Sequence, residues 1–207
     1  MSKLLDILPD FYGIIPHFFL VLFCRSGMKT KKIVVLPYDA AWQAAFEKIK
    51  SEIEEAIGDL IIGIEHVGST SVEGMSAKPC IDIDVIINDY SAFTAAVDGL
   101  KAIGYIHEGN LGIKDREAFK YTGKPHLMTH HLYVCPEYSE ELYRHIIFRE
   151  FLRSNSGAVE KYSMVKEKAA LLFPDDIDGY MKYKSSCIEE LYQKCGLILP
   201  SCTDCNN

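Results

Sequence analysis

The chain has 207 residues, 48% hydrophobic and 25% charged, with a net charge of −7. That length and composition fit one globular domain with a sizeable core. The acidic balance offers no broad positive field, which argues against a polymerase on long nucleic acid or a general RNA binder; a small nucleotide carried with its own cation stays compatible.

Phe11 to Cys24 is strongly apolar but short for a membrane-spanning helix, and Pro16 and His17 interrupt it. Asp6 and Asp10 are out of place in a signal-peptide n-region, and Arg-Ser-Gly-Met after Cys24 is a poor cleavage site. Residues 1–27 therefore read as an extension outside the fold, 28–195 as a single domain and 196–207 as a tail, with no stable membrane insertion. Seven scattered cysteines indicate a reducing cytoplasm without a disulfide framework. Cys80, Cys135 and Cys187 sit in apolar contexts that suit buried thiols. The tail thiols Cys195, Cys202 and Cys205 lack the fourth ligand of a zinc knuckle.

Ile33 to Leu36 is a β-branched run stopped by Pro37, and Asp39 can cap a following helix. Trp42, Phe46, Ile49, Ile53 and Ile57 then form one apolar stripe at helical spacing. Ile61 to Val67 reads as a strand leading into a Gly68-Ser69 turn. Pro79 enters a second strand, Cys80 to Ile87. A helix is expected over 91–103, a strand over 117–122 after a glycine-rich bend, and a strand over 127–135. Helices follow over 139–154, 158–173 and 177–195. Strands mixed with helices, then a run of helices, predict an α+β fold: a small mixed sheet, helices behind it, and a C-terminal helical lobe.

The stretch His66 to Ile87, HVGSTSVEGMSAKPCIDIDVII, carries the chemistry. Asp82 and Asp84 alternate with Ile81, Ile83 and Val85, so both carboxylates fall on one face of a strand whose other face is apolar. Like charges that close are costly unless a cation sits with them, and Mg²⁺ (or Mn²⁺) takes hard oxygen ligands while gripping substrate phosphates. Twelve residues separate Asp82 from the Gly68-Ser69 turn. Glycine lets backbone N–H groups approach a phosphate, and Ser69, Thr70, Ser71 and Lys78 add donors. Walker A is absent, because Gly74 is followed by Met75 rather than Lys, which argues against a P-loop kinase such as dephospho-CoA kinase.

This Gly-Ser turn followed by an Asp-x-Asp strand resembles the nucleotidyltransferase superfamily typified by DNA polymerase beta. The wording GSTSVEGMSAKPCIDIDV, the later HHLYVC and the helix text RHIIFREFLRSN are similar to one branch, the GrpB-like family. The resemblance runs from about Met28 to about Leu191. It implies an Mg²⁺-dependent nucleotidyltransferase using an NTP and an unknown acceptor, with Asp82 and Asp84 on the metal. The alternative is an inactive nucleotide-binding sensor of the same fold.

The superfamily's usual third carboxylate is missing. The strand LMTHHLYVC has no acid, and alternation places His131 and Tyr133 on the face of the Asp pair. His131 is the expected substitute, as a neutral imidazole acting as general base near its ordinary pKa of ~6.5, the alternatives being that it binds phosphate or packs. His130 points the other way, so His126, His130 and His131 do not make a zinc site. Glu65 and Glu117 are spare acids. For phosphate charge, Arg149 and Lys184 are the leading candidates, Lys184 within a Tyr180-x-x-x-Lys184 pattern of the GrpB-like family. Lys114, Arg116, Arg144, Arg153, Lys161, Lys166 and Lys168 read as surface charges.

Overall fold

The computed structural model describes residues 32–197. The apolar N-terminal stretch, Cys202 and Cys205 lie outside the described residues. The fold is α+β, as the sequence predicts. Five strands form one sheet: β1 (Gly63–Val67), β2 (Ile81–Ile87), β3 (Tyr105–Gly109), β4 (Glu117–Tyr121) and β5 (His130–Pro136), in the order β1-β2-β5-β4-β3. Only β2 and β5 run parallel; the other neighbours are antiparallel.

One face of the sheet is an apolar core. The α1 helix (Ala41–Ile57) buries the predicted stripe, Trp42, Phe46, Ile49, Ile53 and Ile57. Asp39 Oδ1 accepts the Ala41 N–H at 2.9 Å, which meets one of the orphan donors at the helix start. The α2 helix (Phe93–Ala102) adds Ala96 and Leu100. Against them lie Ile81, Ile83, Val85 and Ile87 of β2 with Leu132 and Val134 of β5. Each fully buried aliphatic side chain contributes roughly 1.5–3 kcal/mol.

The opposite face is covered by α3 (Glu140–Arg153), whose start is capped by Ser139 Oγ accepting the Leu142 N–H. Leu142 and Ile146 pack on Ile86, Tyr133 and Cys135. The α4 (Ser156–Leu172) and α5 (Ile177–Lys194) helices complete the lobe, with Asp176 capping α5. The lobe closes on the segment after the Gly-Ser turn, where Val72 and Met75 pack with Leu152, Tyr162, Ile188 and Leu191.

Two segments go beyond the sequence pattern. Residues 33–36 form no strand; Leu36 makes a single bridge to Ala77. The next pair that would exchange hydrogen bonds on one side is Val34 with Pro79, which has no N–H, so the ladder goes no further there. Tyr105–Gly109, unassigned by pattern, is the edge strand β3 paired only with β4, with a register shift between His107 and Gly109.

Candidate active site

The sheet register brings the predicted residues together. Asp82 is paired with His131 and Asp84 with Tyr133 across the parallel β2–β5 seam, while Glu65 of β1 faces Asp84 from the other side. Same-face partners on adjacent strands are close, so a front-face row of polar groups forms across three strands.

Gly68 ends β1 at φ +69°, in the left-handed region where a side chain is strained. A Cβ there would lie 2.2 Å from Asp82 Oδ2. The glycine is therefore required twice over, by the turn and by the carboxylate seated against it. Ser69–Ser71 make one 3-10 turn. Ser71 Oγ donates to Gly68 O at 2.6 Å, and the Thr70 hydroxyl donates to Cys80 O while contacting His66 Nε2. Those two hydroxyls brace the turn.

A cavity of about 160 Å³ opens in front of this turn. Its wall includes Gly68, Ser69, Thr70, Lys78, Asp82, His131, Arg149 and Lys184, which are eight of the ten residues singled out in the sequence. Ser71 and Asp84 are not in the wall. From the lobe, Arg144, His145 and Lys166 join it. The cations of the lining thus come from Lys78 and from α3, α4 and α5, and its carboxylate from β2.

The two aspartates occupy different environments. Asp82 is 22% exposed and takes a 2.8 Å hydrogen bond from His131 Nδ1. Burial raises its pKa, but the His131 hydrogen bond and charge outweigh that and leave it lowered. Asp84 is fully buried, because α3 lies over it, and His145 Nδ1 donates to its Oδ2 at 2.6 Å. Its Oδ1 is buried with no hydrogen-bond partner among the described residues. Behind His145 stand Glu141 at 3.3 Å, then Arg144 at 2.8 Å and Arg116 at 3.8 Å from Glu141. Burial works against charge on His145, yet the Asp84 and Glu141 carboxylates hold its pKa well above the ordinary histidine range.

His131 stands beside Asp82, as alternation predicts. Burial lowers its pKa, but hydrogen bonds to Asp82 and Cys80 and their charge prevail and hold it well above the usual histidine value. Its Nδ1 is the hydrogen-bond partner of Asp82. His130, as expected, faces the other way: Nδ1 donates to Met128 O, Tyr105 Oη donates to Nε2, and the ring stacks on Tyr121. His126 pairs with Glu52.

Three charges read as solvated, Arg116, Arg144 and Lys166, are buried, and other cations of the lobe are tied to the turn. Arg116 is fully buried, its guanidinium 4.3 Å from the centre of the Tyr133 ring. Arg149 donates to Glu65 and to His66 O, and Arg153 donates to Ser71 O, so α3 is bolted to both ends of the Gly-Ser turn. Lys78 and Lys184 approach opposite the ring of Tyr180, at 6.0 and 4.4 Å from its centre. Lys166 is 2% exposed, lies 4.5 Å from the Tyr162 ring centre, and its Nζ has no hydrogen-bond partner among the described residues. Burial, then the Lys184 charge, push its pKa well down. Glu117 engages His107 and Tyr90 and is absent from the cavity wall.

Sequence reasoning missed His145, Glu141 and Lys166. Glu141 and His145 stand four apart on one helix face, a legible pair, but nothing local says that the face meets Asp84.

The sequence model of the GrpB protein family matches residues 32–194. The chain belongs to the GrpB family. It is 31% identical over 159 residues to the UPF0157 protein YqkA of Bacillus subtilis, a match covering 77% of this chain and 46% of YqkA. A protein named dephospho-CoA kinase in Mycolicibacterium paratuberculosis is 25% identical over 183 residues, again spanning less than half (45%) of that protein. Among solved structures, the conserved protein GrpB from Enterococcus faecalis superposes with a TM-score of 0.70 at 30% identity, covering 78% of this chain and 96% of that one. A structure of Cid1 with its short product ApU matches at a TM-score of 0.43 and 10% identity, covering 67% of this chain and 41% of Cid1. No helix of the described residues is long and apolar enough to cross a membrane.

Proposed function

We propose that this GrpB-family protein is a nucleotidyltransferase that moves a nucleotidyl group from an NTP to a small-molecule or protein acceptor, with Mg²⁺ or Mn²⁺. The observation that carries the reading is the cavity itself. It gathers the Gly68-Ser69 turn and Asp82 with Lys78, Lys166 and Lys184, a lining suited to a small polyanion. Asp82 and Asp84 would hold the cation. Their oxygens are hard donors of the kind Mg²⁺ prefers, and the buried, unbonded Oδ1 of Asp84 supports the fit. Such an ion, when bound, polarises the phosphoryl group and neutralises the departing pyrophosphate.

The chain's own residues do the rest. Backbone N–H groups at Gly68 and Ser69, with the Ser69 hydroxyl, receive phosphate oxygens. Thr70 and Ser71 hold the turn in shape, and Arg149 fixes it through His66 O. The lysines offset the phosphate charge. His131 orients the Asp82 carboxylate. The free thiols Cys80, Cys135, Cys187 and Cys195 support a reducing cytoplasm as the setting.

A second reading, a nucleotide-binding sensor without transfer activity, is favoured by one observation: Asp84 is already bonded to His145, and the residue beside Asp82 on β5 is His131 rather than an acid. Pyrophosphate release from ATP, GTP, CTP and UTP, tested across a broad acceptor panel, separates them. Transfer gives release that is lost in Asp82→Asn; the sensor binds Mg-NTP without release.

A further inference from the structure

Cys80 has no part in the reading above, yet it borders the cavity next to Asp82. Residues two apart on an extended segment share a face, so Cys80 and Asp82 point the same way. The parallel register then places His131 directly beside Asp82. The result is a compact trio. His131 Nδ1 lies 2.8 Å from Asp82 Oδ1 and 3.7 Å from Cys80 Sγ, and Cys80 Sγ lies 3.9 Å from Nε2. One donor atom from each side chain falls within 4.8 Å of the other two.

We propose that Cys80, Asp82 and His131 form a three-ligand site for a borderline-soft divalent cation of the zinc class, open to the cavity at its fourth position. The ligand spacing fits such an ion. Zinc–sulfur and zinc–nitrogen bonds of about 2.3 and 2.0 Å at a tetrahedral angle put S and N about 3.5 Å apart. The Cys80–His131 separation of 3.7 Å is close to that value, and the His131–Asp82 hydrogen bond opens by roughly half an ångström as the ion replaces the shared proton. Binding sends the His131 Nδ1 proton and the Cys80 thiol proton to solvent, leaving a thiolate, a neutral imidazole and a carboxylate as ligands. Three protein ligands with one open position is the pattern of zinc sites that act on a bound water or substrate oxygen, whereas closed structural sites use four.

Ligand type decides the ion. A thiolate and an imidazole select zinc-class cations over Mg²⁺, whose preferred ligands are oxygens. Asp84, held by His145, takes no part; Asp82 is shared with the Mg²⁺ site proposed above, so the two ions compete for it. The inference therefore rests on the trio and not on the nucleotide, and it stands if no NTP binds.

The test is Co²⁺ titration of the metal-free full chain, followed by competition with Zn²⁺ and Mg²⁺. The expected result is a thiolate-to-cobalt charge-transfer band saturating at one equivalent, with the intense visible bands of a four-coordinate ion. Zn²⁺ should bleach both and Mg²⁺ should not. Cys80→Ser should abolish the charge-transfer band. His131→Gln should weaken affinity by at least the roughly 10- to 100-fold that losing even an outer-shell partner costs. Serine in place of Cys195, Cys202 and Cys205 should leave the band intact. A measurement on the unmodified chain stands beside these: Zn²⁺ should protect Cys80, identified by peptide mass, from alkylation. A missing band, a band that survives Cys80→Ser, or alkylation of Cys80 unchanged by Zn²⁺ overturns the site. Mg-NTP binding, measured separately, reports on the nucleotide reading alone.

Discussion

On the sheet face covered by α1 and α2, β2 contributes Ile81, Ile83, Val85 and Ile87; on the face covered by α3 the same strand contributes Asp82, Asp84 and Ile86. Both faces are buried over much of their area, so the difference is one of chemistry rather than exposure. The back face gains from removing apolar surface from water. The front face buries Asp84, Glu141, Arg116, Arg144 and His145, whose desolvation is repaid only if each charge keeps its partners. Within the front face a second contrast appears. At Asp84 the helix closes over the strand; at Asp82 it stands off and leaves the cavity. One strand thus holds a sealed carboxylate and an accessible one, two residues apart.

These contrasts predict distinct mutational signatures. The largest loss of stability is expected from His145→Ala, which strips Asp84 of its hydrogen-bond donor and leaves a buried charge uncompensated: about 3–5 kcal/mol in denaturant unfolding. Next comes Ile83→Ala on the back face, at roughly 2–5 kcal/mol from lost burial and the cavity left behind. Here the part that remains folded should keep its ligand affinity, because Ile83 is on the face away from the cavity. A fall in affinity matching the fall in stability would blur the division between faces.

The pH dependence is smaller in slope and specific in sign. His145 has its pKa raised in the folded chain by Asp84 and Glu141. Its stabilising contribution is complete below the unfolded value of about 6.5 and is lost as pH rises from there toward the folded value. Glu141 is shifted the opposite way; burial raises its pKa, but His145 and the two arginines hold it down to about 2. Its contribution is present above about 4.5 and fades as pH falls. Unfolding midpoints should therefore peak between these limits, and His145→Gln should flatten the alkaline limb. An unaltered alkaline limb in that variant would assign it to another group. The smallest stability effect is expected from Asp82→Asn, within about 1 kcal/mol, since its partner His131 is part-exposed and can release its proton.

Much of the fold could be read in advance. The α1 stripe, the Asp-bearing strand β2 and the three-helix lobe are local patterns, and periodicity is local information. The edge strand β3 was not legible, because Tyr105–Gly109 has no clean alternation and depends on β4 for its pairing. The placement of His131 on the Asp82 face followed from alternation alone, and its contact with Asp82 from the register. What stayed hidden was tertiary. Arg116 reads as a loop cation, and only the packing of Tyr133 and Glu141 around it makes it a buried one. Asp84 and Asp82 read alike until α3 separates them. Cys80 reads as a buried thiol until β5 supplies His131 beside it.

The proposed function depends most on Asp82 sharing its cavity with the lobe lysines. Calorimetry of Mg-NTP binding to the intact chain and to Asp82→Asn tests it most directly. Saturable binding by the chain, weakened at least tenfold in the variant while the unfolding midpoint barely moves, is the predicted result. Absence of binding to any of the four NTPs, or equal affinity in the two proteins, would contradict it.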